Sequence, residues 1–261
     1  MDKKTISRDG TPIAYERHGD GPTVVLVGGA MCTGATLAPL AEALSDRFGA
    51  VTYDRRGRGG SGDTAPFAVA REVEDIAALI EASGGSAALY AISSGGALAL
   101  EAAASGLPVR EVAVYETPFA VAEGAGKERA EYTERLTELL AQDRRGDAVE
   151  LFLSLVGTPP EMIAGVRMSH AWPGMEAIAP TLAYDNAAMG DSGVPRERLA
   201  ALSVPLLSIA GDASPAWMRE AARIVAEAAS NGSYRTLEGQ THMVDPQVLA
   251  PVLAEFFTTN G

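Results

Sequence analysis

This sequence has little cysteine. It also lacks apolar runs that could span a membrane and an apolar segment near residue 1. The single cysteine, Cys32, excludes an internal disulfide and is typical of a reducing compartment. No apolar stretch is long and uncharged enough to cross a bilayer. Residues 1–4 lead into a polar segment and not into the apolar core of a signal peptide. These features predict a cytoplasmic protein with no membrane partner.

Basic residues are also few compared with acidic ones. The chain has 21 lysines and arginines against 34 aspartates and glutamates, which gives a formal charge of -13. Such a balance repels nucleic-acid phosphates and anionic membrane surfaces. We therefore expect the partner to be a small neutral or apolar molecule and not a nucleic acid.

What the chain does have is an alternation of short apolar runs with amphipathic helical patterns. Its 261 residues, 47% of them hydrophobic, suffice for one large α/β domain. Continuous apolar runs of this kind are typical of strands buried on both faces of a parallel sheet, with helices packed on either side. The predicted central and late strands are residues 23–27, 51–53, 87–92, 112–115, 205–210 and 234–237.

The alternation lapses between residues 119 and 202, where helical patterns are broken by proline and glycine and no strand run is found. We predict a helical lid over 119–202, inserted into a core formed by residues 1–118 and 203–261. Methionines and a tryptophan in this segment favour an apolar, adaptable pocket. Candidate pocket residues are Met31 from the core and His170 and Trp172 from the lid. A hydrophobic lid also leaves a homodimer open.

One stretch, residues 88–100, joins an apolar run directly to a helical run through Ser93. A serine at such a strand–turn–helix junction is strained, and the residues two before and two after it must be small. Ala91 and Gly95 meet this requirement. Were Ser94 the nucleophile, the first small position would hold the branched Ile92. Ser93 is therefore the better candidate, against the alternative that a serine here only caps the helix.

A second glycine-rich stretch formally matches a dinucleotide-binding fingerprint at Gly57, Gly59 and Gly62. That fingerprint requires a helix to begin directly on the glycines, so that its N-terminus can hold the pyrophosphate. Here residues 63–67 intervene, and no lysine–serine or lysine–threonine pair follows a glycine loop. We predict neither a cofactor nor a metal site, and we assign the neighbouring arginines to pairing with local acids.

The order of these parts resembles the α/β-hydrolase superfamily over nearly the whole chain. The matching features are a glycine pair at 28–29, the segment 54–61, the serine turn, the inserted lid and His242 after the last strand. Residues 53–57 and 237–242 are also similar to uncharacterised actinobacterial members. The resemblance implies a mostly parallel eight-stranded sheet with helices on both faces.

The resemblance further implies a catalytic serine, acid and histidine in that chain order. Ser93 would be the nucleophile and His242 its base. The acid has two candidates. Glu116 follows the sixth strand and is preferred, whereas Asp212 follows the next strand but lies two positions before the expected acid, where Ser214 stands. A dyad without a functional acid is a third arrangement.

In such a site, backbone N–H groups of Ala30 and Ser94 would form the oxyanion hole. Relatives often carry histidine where this chain has Gly28. These residues lead us to predict a cofactor-free serine hydrolase acting on a small ester, lactone or thioester. The alternatives are a lyase, cyclase or carbon–carbon hydrolase on the same fold, and a silent ligand-binding member.

Overall fold

A computed structural model describes residues 3–121 and 124–259, except for the side chain of residue 125. In this part of the chain eight strands form one mostly parallel sheet, as predicted, in the order β1-β2-β4-β3-β5-β6-β7-β8. The strands are β1 Lys3–Ile6, β2 Pro12–His18, β3 Thr23–Val27, β4 Gly49–Tyr53, β5 Ala87–Ile92, β6 Val109–Tyr115, β7 Leu206–Gly211 and β8 Gly232–Leu237.

Six strands, β3 to β8, run parallel, and β2 pairs antiparallel with both β1 and β4. All residues of β3, β4 and β7 are buried. Burial on both faces explains why these strands read as continuous apolar runs and not as an alternating pattern. Because parallel strands end at one edge, the loops after β3, β5, β6, β7 and β8 gather there.

Helices cover both faces of the sheet. Side chains of α1 and α11 pack on one face, and those of α2, α3 and α10 pack on the other. The helices are α1 Gly34–Leu44, α2 Val69–Ala82, α3 Ser94–Ala104, α4 Ala125–Ala141, α5 Arg145–Leu155, α6 Pro160–Arg167, α7 Trp172–Ile178, α8 Leu182–Met189, α9 Arg196–Ala200, α10 Ala216–Ala228 and α11 Pro246–Thr259. Within the described ranges, no helix combines the length and apolar character needed to cross a membrane.

The chain between β6 and β7 supplies helices α4 to α9. Their apolar side chains form two small clusters, one around Leu136 and Leu182 and the other around Trp172. Met31, from the loop after β3, packs against both clusters. This region therefore sits on the loops at the carboxyl edge of the sheet, and its division from the core at residues 119 and 202 is our interpretation.

Candidate active site

Backbone strain is concentrated in the loops at the carboxyl edge of the sheet. Three non-glycine residues there have positive φ: Met31 (60°) after β3, Ser93 (57°) after β5 and Glu116 (46°) after β6. Each such conformation costs roughly 1–3 kcal/mol and persists only where the surrounding structure enforces it. Strain of this kind is typical of functional sites, and it marks this edge as the candidate site.

Ser93 lies at the turn between β5 and α3, as the small flanking residues predicted. Its φ and ψ are 57° and -136°, and its N–H donates to the Tyr115 carbonyl of β6 at 3.0 Å. Gly95 is required because a Cβ there would lie 2.7 Å from the Val27 and Gly28 carbonyl oxygens. Ala91 is completely buried within β5. The helix therefore starts against the β3 loop, with Ser93 half-buried at the junction.

Glu116 and His242 are in direct contact although 126 residues separate them. The His242 Nδ1 lies 2.8 Å from Glu116 Oε2, and Glu116 Oε1 accepts the Gly211 N–H at 2.8 Å. Glu116 is fully buried, and the His242 side chain is 35% exposed. An ionised carboxylate can only accept hydrogen bonds, so Nδ1 is the donor to Glu116, and in the neutral ring the Nε2 nitrogen keeps its lone pair. The imidazole is thus oriented as a proton acceptor.

A further contact joins the segments that carry Glu116 and His242. The Tyr115 hydroxyl donates to the Thr241 carbonyl at 2.7 Å, which ties the residue before His242 to the residue before Glu116. The Ser93 hydroxyl makes no hydrogen bond to His242 among the described residues. Serine–histidine contacts are often long in sites without substrate.

The alternative acid, Asp212, has a different environment. It is exposed, and its Oδ1 accepts the Gly239 N–H at 2.7 Å. Ser214, which stands at the expected acid position, is buried, and its hydroxyl has no partner among the described residues. The structure therefore brings Glu116, and not Asp212, onto His242.

The predicted oxyanion-hole loop runs directly past Ser93. A Cβ placed on Gly29 would lie 2.8 Å from Ser93 Cβ and 3.4 Å from Ser93 Oγ. The backbone N–H groups of Ala30 and Ser94 have no hydrogen-bond acceptor among the described residues. Both amides are therefore available to an oxygen bound beside Ser93.

The three predicted pocket residues lie in different surroundings. Met31 is partly buried and packs against both small clusters between β6 and β7, and Trp172 is buried in one of them. His170 is exposed in the segment between α6 and α7 and makes no hydrogen bond or ion pair among the described residues. Only the first two are placed in packed surroundings.

The arginines after β4 form a buried ionic network that reaches beyond local acids. Arg55 pairs with Glu72 at 2.7 Å, and Arg56 pairs with Asp75 at 2.7 Å, both on α2. Arg55 and Arg58 also bind Asp185 of α8, at 2.5 and 2.6 Å. Sequence reasoning missed this carboxylate of α8. Its only trace was an aspartate in the largely apolar segment 178–189.

Residues 24–252 match the model of the alpha/beta hydrolase family. The chain belongs to that family. An alpha/beta hydrolase from Sphaerobacter thermophilus of known crystal structure is 52% identical, with a TM-score of 0.89 over 98% of this chain and 100% of that one.

More distant solved structures share the α/β-hydrolase fold. A thermophilic esterase from Thermogutta terrifontis is 22% identical, with a TM-score of 0.74 over 99% of this chain and 98% of that one. An N-formylmaleamic acid deformylase from Pseudomonas putida is 18% identical, with a TM-score of 0.66 over 100% and 99% of the two chains. At these identities the likeness concerns the fold alone.

Proposed function

We propose that this α/β hydrolase cleaves a small ester, lactone or thioester through an acyl-enzyme, without a cofactor. The observation that carries the proposal is the fully buried Glu116 carboxylate, 2.8 Å from His242 Nδ1, at the sheet edge where Ser93 is held with positive φ. A hydroxyl is a weak nucleophile at neutral pH, so it needs an adjacent base that a third group orients.

In the proposed reaction, His242 Nε2 accepts the Ser93 proton as Ser93 Oγ attacks the substrate carbonyl carbon. The negative charge that develops on the carbonyl oxygen is bound by the Ala30 and Ser94 N–H groups. Each such donor contributes about 2.7–4 kcal/mol of transition-state stabilisation. His242 then gives the proton to the leaving group, and water hydrolyses the acyl-enzyme by the same route. Glu116 stabilises the imidazolium in both steps.

The apolar residues of the lid favour a small apolar substrate. Met31 follows the oxyanion-hole loop and is packed against lid residues that include Trp172. Methionine adapts its shape easily, which suits an acyl or alcohol group of modest size. We further propose a cytoplasmic location, because the free Cys32 fits a reducing compartment.

Mass spectrometry after treatment with a fluorophosphonate tests the proposal. We expect one adduct on Ser93 in the folded protein, and we expect neither the Ser93→Ala variant nor the denatured protein to be labelled. The His242→Ala variant should label far more slowly. An unlabelled Ser93 in folded wild-type protein would contradict the proposal. Appreciable turnover of an ester by Ser93→Ala would instead indicate chemistry in which the hydroxyl only positions the substrate.

A further inference from the structure

The peptide that carries the Ala30 N–H is held from its other side by Arg58. Arg58 Nη1 donates to the Gly29 carbonyl at 2.6 Å and to the Cys32 carbonyl at 3.0 Å. The Gly29 carbonyl and the Ala30 N–H belong to one peptide unit, and in a trans peptide they point in opposite directions. By fixing the carbonyl, Arg58 fixes the direction in which the Ala30 N–H points.

Asp185 of the lid joins this support to the second predicted donor. Its Oδ2 binds Arg58 Nη2 at 2.6 Å, and its Oδ1 accepts the Ser94 hydroxyl at 2.9 Å. Oδ1 also binds Arg55 Nη1, which in turn donates to the Gly28 carbonyl at 3.3 Å. One carboxylate from α8 therefore contacts the residue after the nucleophile and both arginines that hold the β3 loop.

We propose that Arg58 and Asp185 are positioning residues that align the two oxyanion-hole amides, so that docking of α8 on the core assembles the hole. Neither residue touches the reacting atoms in this scheme. The proposal rests on the proposed function, since an oxyanion hole has a role only where Ser93 attacks a carbonyl.

The charge balance of this network holds the loop after β3 and α8 together. Arg55 and Arg58 are matched by Glu72 and Asp185, and all four side chains are at most 6% exposed. Burial acts to raise the pKa of Asp185, but the two guanidinium groups outweigh it and hold the pKa below its usual range. Removing one partner of such a set leaves an uncompensated buried charge, so the loop and the lid are fixed together.

A neighbouring ion pair provides a matched control. Arg56 binds Asp75 through two hydrogen bonds, at 2.8 and 2.7 Å, and both side chains are buried as deeply as those of the proposed pair. This pair has no hydrogen bond to residues 28–32 or to Ser94 among the described residues. It stabilises the same arginine segment without contacting the oxyanion-hole loop.

The test compares Asp185→Asn with Asp75→Asn, using p-nitrophenyl acetate as the probe and thermal unfolding as the measure of stability. Outright loss of an oxyanion donor costs about 10²–10³ in kcat. We expect misalignment in Asp185→Asn to lower kcat by about 10- to 100-fold, with KM changed less than about threefold. Asp75→Asn should lower Tm comparably but keep kcat within about threefold of wild type. Equal kcat losses in the two variants would overturn the proposal.

Two further measurements apply if Asp185→Asn folds poorly or the wild-type protein does not cleave the probe. Arg58→Lys keeps the charge but loses the planar fork, and we expect the same fall in kcat with KM preserved. Hydrogen exchange of residues 28–33 should be at least about tenfold faster in Arg58→Lys than in wild type, and unchanged in Asp75→Asn. Unchanged exchange in Arg58→Lys would refute the positioning role. An unreactive wild type with accelerated exchange in the variant would refute only the proposed chemistry.

Discussion

Replacement of Glu116 by glutamine would change one atom in the buried pair with His242. Glu116 Oε1 accepts the Gly211 N–H, and Oε2 accepts from His242 Nδ1, each at 2.8 Å. Gly211 needs an acceptor, so the amide oxygen of the variant must face it. The amide NH₂ then faces Nδ1, which must become the acceptor. The ring proton moves to Nε2, and the imidazole can no longer take the proton of Ser93.

The size of the effect follows from this change of tautomer. In a serine protease, the corresponding carboxylate-to-amide exchange lowers kcat by about 10⁴ while the geometry stays intact. We expect Glu116→Gln to lose about 10³- to 10⁴-fold in kcat, or about 4–5.5 kcal/mol of transition-state stabilisation. Stability should change little, because the side-chain volume is kept and a buried charge is removed.

Steady-state hydrolysis of p-nitrophenyl acetate and the rate of fluorophosphonate labelling would measure this loss, with circular dichroism to verify folding. Asp212→Asn is the matched control, since it makes the same chemical change at the exposed alternative acid. We expect that variant to remain within about threefold of wild type. The reasoning is refuted if Asp212→Asn loses most of the activity, or if Glu116→Gln keeps more than about a tenth of it.

Three other predictions concern the loop after β3, a buried acid in β6 and the packing of α7. Gly29→Ala should lose about 10²-fold in kcat/KM, because its Cβ would lie 2.8 Å from Ser93 Cβ. The control Gly174→Ala should keep full activity, because a Cβ at that position would have no atom within 4 Å. Burial raises the pKa of Glu111, whose oxygens have no hydrogen-bond partner among the described residues. Ionisation of Glu111 in the folded protein is therefore unfavourable, and it lowers the free energy of unfolding as pH rises through that pKa. Urea unfolding should show Glu111→Leu to be about 1–3 kcal/mol more stable at pH 8, with the gain shrinking towards pH 4. Trp172→Ala should lower the free energy of unfolding by about 3–5 kcal/mol in the same assay, and a loss below about 1 kcal/mol would show that the cluster around Trp172 contributes little to stability.

The strands and the turn at Ser93 could be predicted from local sequence. Buried parallel strands must be apolar on both faces, so they stand out as continuous runs. The turn at Ser93 is equally local, since its strain and the approach of α3 to the β3 loop demand small residues at 91 and 95. The eight-stranded, mostly parallel sheet expected from the resemblance is confirmed.

The partner of His242 could not be decided in this way. Glu116 and Asp212 both follow strands at the same edge. The sequence favoured Glu116, because Asp212 lies two positions before the expected acid, but it left both residues open. The structure separates them because β6 lies between β5 and β7, which places Glu116 beside both the Ser93 turn and the Gly211 N–H. Asp212 lies one residue beyond β7, and its carboxylate accepts a hydrogen bond from the Gly239 N–H.

The link from α8 to the loop after β3 could likewise not be predicted from the sequence. Arg58 and Asp185 are 127 residues apart, and nothing in either segment specifies the other. Local sequence determined where strands run and where the chain must turn sharply, because those depend on steric fit and burial between near neighbours. Only the tertiary structure decided which buried charges meet, because a charge is neutralised by whichever opposite charge the packing of distant elements brings within a few ångströms.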